Sequence, residues 1–155
     1  MRKLLLGILL VAPLAAAASP APTPPGVTVK PLAAPADLEM KAPEPVVYII
    51  EPKDGAVVSN PVRVVFGLRN MGVAPAGVNH LNTGHHHLLI DTELPRLDQP
   101  IPASDKHRHF GAGQTETRLI LLPGAHTLQL LIGDYAHMPH APPIVSEKLT
   151  ITVKP

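Results

Sequence analysis

The stretch TRLILLPGAHTLQLLIGD (117–134) decides the predicted fold, because it holds two apolar runs on either side of a turn signal. Segments 117–122 and 126–134 have the length and composition of β-strands, and PGA (123–125) separates them. Their short separation predicts a β-hairpin.

Other segments of the chain show the same kind of pattern. Short runs of β-branched and other apolar residues, bounded by glycine, proline or asparagine, predict strands at 46–51, 61–68, 85–91 and 144–153. No window shows a sustained helical period of apolar residues. The sequence therefore predicts an all-β domain, a single immunoglobulin-like antiparallel β-sandwich, with a small β-barrel as the alternative.

The N-terminus has the pattern of an export signal. Basic Arg2 and Lys3 precede an apolar run at 4–12, and three alanines at 16–18 form a small-residue cleavage signature. The apolar run is too short to span a bilayer, which needs about 20 residues. We expect a cleavable signal peptide over residues 1–18, a periplasmic or secreted location, and no membrane insertion after cleavage.

The segment between the signal and the first strand is dominated by proline. Eight of the 27 residues in 19–45 are proline, and large apolar side chains are sparse. Such a segment buries too little surface to offset its ordering entropy. We predict a disordered proline- and alanine-rich tether over 19–45 and a β-sandwich domain over 46–155.

Composition excludes several classes of function. The chain has no cysteine, which rules out thiolate metal ligands, cysteine nucleophiles and disulfides. Its formal net charge is +1, so nucleic acid is not an expected partner. The carboxylates are scattered, and no nucleophile motif or phosphate-binding loop is present. We therefore do not expect an enzyme.

Histidine is the exception, with nine in 155 residues. Because strand side chains alternate between faces, His85 and His87 of the HHH run should share one face. His86 should then point to the core with Leu88 and Ile90. Two imidazoles on one face lie close enough to share a metal ion.

A second H-x-H pair, His107 and His109, lies in the segment KHRHFGAG. If this segment is extended, both rings again point to one side. Gln114 and Glu116 follow closely, and we expect them to orient a ligating ring, since metal-bound histidine usually donates its other N–H to an acceptor.

The remaining histidines differ in their expected roles. His137 and His140 flank Met138 in a loop and are candidate ligands. His126 shares parity with the apolar residues that follow it, which favours a hydrogen-bonded histidine at the core edge. His80 is expected to be solvated.

The motifs TGHHHLLID, HRHFGAGQTE and HTLQLLIGD resemble those of a family of short exported bacterial domains described only as a domain of unknown function. The resemblance covers about residues 46–154. It implies an exported β-sandwich and supplies no activity.

Two functions remain open. The first is capture, buffering or delivery of a divalent transition metal in the periplasm, copper first and zinc second, since imidazole clusters suit these metals. The second is a non-catalytic immunoglobulin-like module that binds another envelope protein, with structural histidines. A copper-zinc dismutase shares only the H-x-H pattern on a β-sandwich. Convergence of three or more ring nitrogens would separate metal binding from structural roles.

Overall fold

A computed structural model describes residues 43–155 of the chain. The predicted signal peptide and the predicted tether up to residue 42 lie outside the described residues. Within 43–155, no helix is long and apolar enough to cross a membrane.

The described residues form strands and connecting loops. All six predicted strand segments contain a strand, and three shorter strands accompany them. The strands are β1 (Val46–Glu51), β2 (Val57–Val58), β3 (Val62–Arg69), β4 (Gly72–Val73), β5 (Thr83–Ile90), β6 (His107–His109), β7 (Glu116–Leu119), β8 (Gly124–Gly133) and β9 (Leu149–Val153).

The strands make two sheets that pack face to face. One sheet has the order β1-β3-β7, and the other has the order β2-β9-β8-β5-β4, with β6 also paired to β5. The long strands pair antiparallel, whereas two-residue β2 and β4 lie parallel to β9 and β5. The predicted β-sandwich is confirmed.

The main core lies between the two sheets and is mostly aliphatic. Alternate residues of β5 contribute to it, including Leu88 and Ile90, as the strand pattern predicts. His86 points the same way, and its ring lies 5.2 Å from that of Phe66. The buried core residues are Val47, Val62, Val64, Phe66, Leu88, Ile90, Phe110, Leu119, Leu128, Leu130, Ile132, Ile151 and Val153.

The predicted hairpin between 117–122 and 126–134 is wrong. Strand β7 pairs with β3 in the smaller sheet, whereas β8 pairs with β5 and β9 in the larger one. The chain therefore crosses between sheets after Leu119. At this crossing the Asn60 side chain donates to Leu121 O at 2.7 Å and accepts from Leu121 N at 3.1 Å. These two bonds take the place of a strand partner.

The outer face of the larger sheet is covered by two long loops, 91–106 and 134–148. Ile101 of the first loop packs on Leu89 and Leu131, with Val145 of the second at the edge. Strand β5 is therefore buried on both faces. His85 and His87, which were expected to share the face opposite the core, lie beneath this second layer.

Candidate metal centre

The register between β5 and β6 brings the two H-x-H pairs together. His87 and His109 are direct Cα partners in this antiparallel pair. Directly paired residues point to the same side of a sheet. The rings of His87 and His109 accordingly lie 5.0 Å apart, and that of His85 also lies 5.0 Å from His109.

A tight turn after β8 adds a fourth ring. The Asp134 carboxylate accepts hydrogen bonds from Ala136 N at 2.8 Å and Met138 N at 2.9 Å. His137 lies between these two residues and adopts a left-handed backbone with φ of 66°. Such a conformation is unfavourable for a residue with a Cβ and persists where the surroundings hold it. The turn points the His137 ring at the three rings described above, and these four rings form the histidine cluster.

His85, His109 and His137 form a nearly equilateral triangle. Their ring centres are 4.7, 5.0 and 5.1 Å apart. Each residue offers a nitrogen, and the three nitrogens all lie within 4.8 Å of one another. Rings whose nitrogens lie about 2.0–2.1 Å from one ion at tetrahedral angles have centres about 5 Å apart. This group could hold a metal ion.

His87 lies beside this triangle. Its Nε2 is 3.1 Å from His85 Nε2, while its ring centre is 6.0 Å from that of His137. His109 and His137 form a second close pair, with their Nε2 atoms 3.2 Å apart. Two imidazoles in such contact must differ in tautomer, one donating its Nε2–H and the other accepting.

Burial keeps His85, His87 and His109 neutral. It is the main cause that lowers the pKa of His85 to about 4 and that of His87 to about 3, and the neighbouring histidines contribute to both shifts. Burial and the proximity of His137 also lower the pKa of His109. Metal ligation requires neutral imidazole. These rings can therefore ligate at neutral pH without releasing protons.

The inner edge of the cluster contains unsatisfied polar atoms. Nδ1 of His85 and Nδ1 of His87 are buried and have no hydrogen-bond partner among the described residues. A buried polar atom without a partner costs about 1–3 kcal/mol. Buried rings that carry this cost are better explained by a function than by packing alone.

Two of the predicted ligands lie apart from the four converging rings. His107 Nδ1 contacts Ser104 Oγ at 3.1 Å, in the turn that leads into β6. His140 lies over Gly84, and its buried Nε2 has no partner among the described residues. The structure thus brings together four of the six predicted ligand residues.

The two side chains expected to orient a ligand have other partners. Glu116 lies on the smaller sheet, where Arg63 Nη2 donates to its carboxylate at 2.6 Å. The Gln114 side chain accepts from Ala112 N at 3.1 Å. Both residues are close to His109 in sequence, but the chain turns away from the cluster at Gly111 and Gly113.

Asp134 and Gly111 shape the site and were not predicted from the sequence. Asp134 positions His137, and its charge opposes the lowering of the His85 pKa. A Cβ at Gly111 would overlap the His109 ring. An aspartate that starts a proline-rich loop is a known turn signal, so Asp134 was detectable.

Three histidines serve other purposes. His126 Nδ1 lies 2.7 Å from Asp91 Oδ2, and its Nε2 donates to Leu122 O at 2.8 Å. This fits the predicted hydrogen-bonded histidine at the core edge, and the Asp91 contact raises its pKa. His80 is exposed, as expected. His86 is fully buried, and neither of its nitrogens has a partner among the described residues.

Fold and site together define a β-sandwich domain with a histidine cluster that could hold a metal ion. The model of a family described as Domain of unknown function (DUF4399) matches residues 64–154, which include the whole cluster. The chain belongs to this family, which confirms the resemblance drawn from its motifs. Searches of curated proteins and of solved structures found no match.

Proposed function

We propose that this protein binds a divalent transition metal for capture, buffering or delivery in the periplasm, with copper preferred and zinc second. The observation that supports the proposal is the near-equilateral triangle of His85, His109 and His137, whose nitrogens lie within 4.8 Å of one another. Structural histidines would each reach a separate acceptor, as His126 does. An all-nitrogen set of neutral donors suits copper and zinc.

The arrangement fits reversible binding. His85 lies at the buried base of the cluster, whereas His109 is exposed and His137 is half-buried. An ion can therefore reach His109 and His137 first, and it can leave from the same solvent-facing side. A closed structural site would shield all its ligands from solvent.

The test is a calorimetric titration of untagged, metal-stripped protein with Cu(II) and with Zn(II). Wild-type protein should bind one ion. The double substitution H109A/H137A removes the two outer rings, and it should lower affinity at least about 100-fold, the loss expected when two of three donors disappear.

His80→Ala is the matched control, because His80 is exposed and its ring Nδ1 lies 3.0 Å from the neighbouring Leu81 O, away from the four converging rings. Its affinity should equal that of wild type. If wild-type protein binds neither ion, metal binding is refuted, and a non-catalytic module that binds an envelope protein becomes the better account.

A further inference from the structure

The proposed site has three protein donors and one side that faces solvent. His85 is fully buried, His137 is half-buried and His109 is exposed. An ion held tetrahedrally by three rings keeps a fourth position. Because the buried ring lies at the base, that position opens on the side of His109 and His137.

His87 does not occupy this position. Its ring lies 6.0 Å from that of His137, the widest separation among the four rings, and its Nε2 is 3.1 Å from His85 Nε2. The contact occupies His85 Nε2, so it orients a ligating His85 ring when the ion binds Nδ1, the nitrogen that has no partner among the described residues. His87 therefore acts as a positioning residue.

The charge at the site is compensated only in part. All three ring donors are neutral ligands, and the Asp134 carboxylate, whose charge opposes the lowering of the His85 pKa by burial, also accepts hydrogen bonds from Ala136 N and Met138 N. A divalent ion would therefore keep about one uncompensated positive charge beside His85 and His87, which are 0% and 1% exposed. An unpaired charge in a partly buried site is strongly unfavourable.

We propose that the site binds its divalent ion together with one small monovalent anion, which takes the solvent-facing fourth position. The proposal rests on the metal-binding function proposed above. The anion lowers the net charge of the site and completes the coordination, so each ligand strengthens binding of the other. Thermodynamic linkage requires the two effects to be equal.

Cobalt(II) and azide provide a direct test, since Co(II) reports its coordination through visible absorption. Untagged, metal-stripped protein is titrated with Co(II) in an azide-free buffer of a large organic anion, and again with azide. Azide should shift the visible bands in a saturable 1:1 manner and raise Co(II) affinity about tenfold, within the usual range of such couplings. The gain in azide affinity on cobalt loading should match this factor.

His87→Leu separates the two possible coordinations, since leucine has a similar volume and no donor nitrogen. Under the proposal the azide response persists in H87L. If azide shifts the spectrum only in H87L, then His87 fills the fourth position in wild type and the proposal is overturned.

Two further outcomes separate this inference from the proposed function. Tight Co(II), Cu(II) or Zn(II) binding with no response to azide overturns the anion proposal alone. Absence of binding for all three ions overturns both.

Discussion

His86 gives the sharpest test of the physical reasoning, because its environment predicts that replacing it stabilises the protein. The ring is fully buried against Phe66, and neither nitrogen has a hydrogen-bond partner among the described residues. Leaving such groups unsatisfied costs about 1–3 kcal/mol, whereas the ring contact with Phe66 returns about 0.5–1.5 kcal/mol. Leucine has a similar volume and no polar atom. His86→Leu should therefore raise the free energy of unfolding by about 1 kcal/mol, or Tm by about 4 °C.

The pH dependence sharpens the test. Burial lowers the pKa of His86 to about 4, from an unfolded value of 6.5, and a weak interaction with the Gln114 backbone, outside normal hydrogen-bond geometry, opposes the shift. Between these values the unfolded chain binds more protons than the folded one, so stability falls as pH falls. This difference in pKa lowers the free energy of unfolding of wild type by at most about 3 kcal/mol at pH 4. Leucine cannot titrate. The free energy of unfolding of H86L, relative to that of wild type, should therefore rise by up to this amount from pH 7 to pH 4.

Urea unfolding of metal-free wild type and H86L, at several pH values between 4 and 7, measures both effects. The other histidines titrate in both proteins, so the difference in free energy of unfolding between wild type and H86L reports on His86 alone. Lower stability of H86L at pH 7, or parallel pH curves, would show that the ring nitrogens have a partner and would refute the reasoning.

His126→Leu is the matched control, with the opposite expected sign. Both of its nitrogens have acceptors, so leucine should destabilise the fold. Because the Asp91 contact raises the His126 pKa, its stabilising contribution is complete below pH 6.5 and is lost as pH rises through the folded pKa.

Three further predictions concern the site and the cellular location of the protein. Gly111→Ala should lower Cu(II) affinity in calorimetry at least about tenfold, because the new methyl group displaces the His109 ring, and unchanged affinity would contradict this placement. Asp134→Asn should also lower Cu(II) affinity about tenfold, because a neutral amide accepts weaker hydrogen bonds from Ala136 N and Met138 N and so holds the turn at His137 less firmly. An effect on thermal unfolding alone would limit Asp134 to a structural role. Mass spectrometry of the periplasmic fraction should find a mature N-terminus near Ser19, and an intact Met1 in the membrane fraction would contradict export with cleavage.

Local patterns in the sequence predicted the strands and the facing of the HHH run. His86 lies toward Leu88 and Ile90, as the two-residue alternation requires, with His85 and His87 on the other face. What alternation could not predict is that this other face is also covered. The apolar residues of the loops that bury it follow no strand pattern, and Ile101 packs there because the chain folds back over the sheet.

Strand pairing was less predictable than strand location. The run at 117–134 looked like a hairpin because composition identifies strands without stating which sheet they join. Asn60, 61 residues before Leu121, supplies the hydrogen bonds that let the chain leave one sheet for the other. The Cα pairing of His87 with His109 is likewise a long-range fact, fixed by loop 91–106 and not by either histidine motif.

The three rings of the triangle come from β5, β6 and the turn after β8, and His137 lies 52 positions after His85. In the unfolded chain these donors are dispersed, so a bound ion would favour the folded state. Each tenfold rise in free metal above the dissociation constant would then add about 1.4 kcal/mol to the free energy of unfolding. The folding equilibrium would then depend on the concentration of free metal in the compartment. Metal-free molecules would unfold more often and be cleaved by proteases, so the amount of this protein would rise and fall with the amount of available metal.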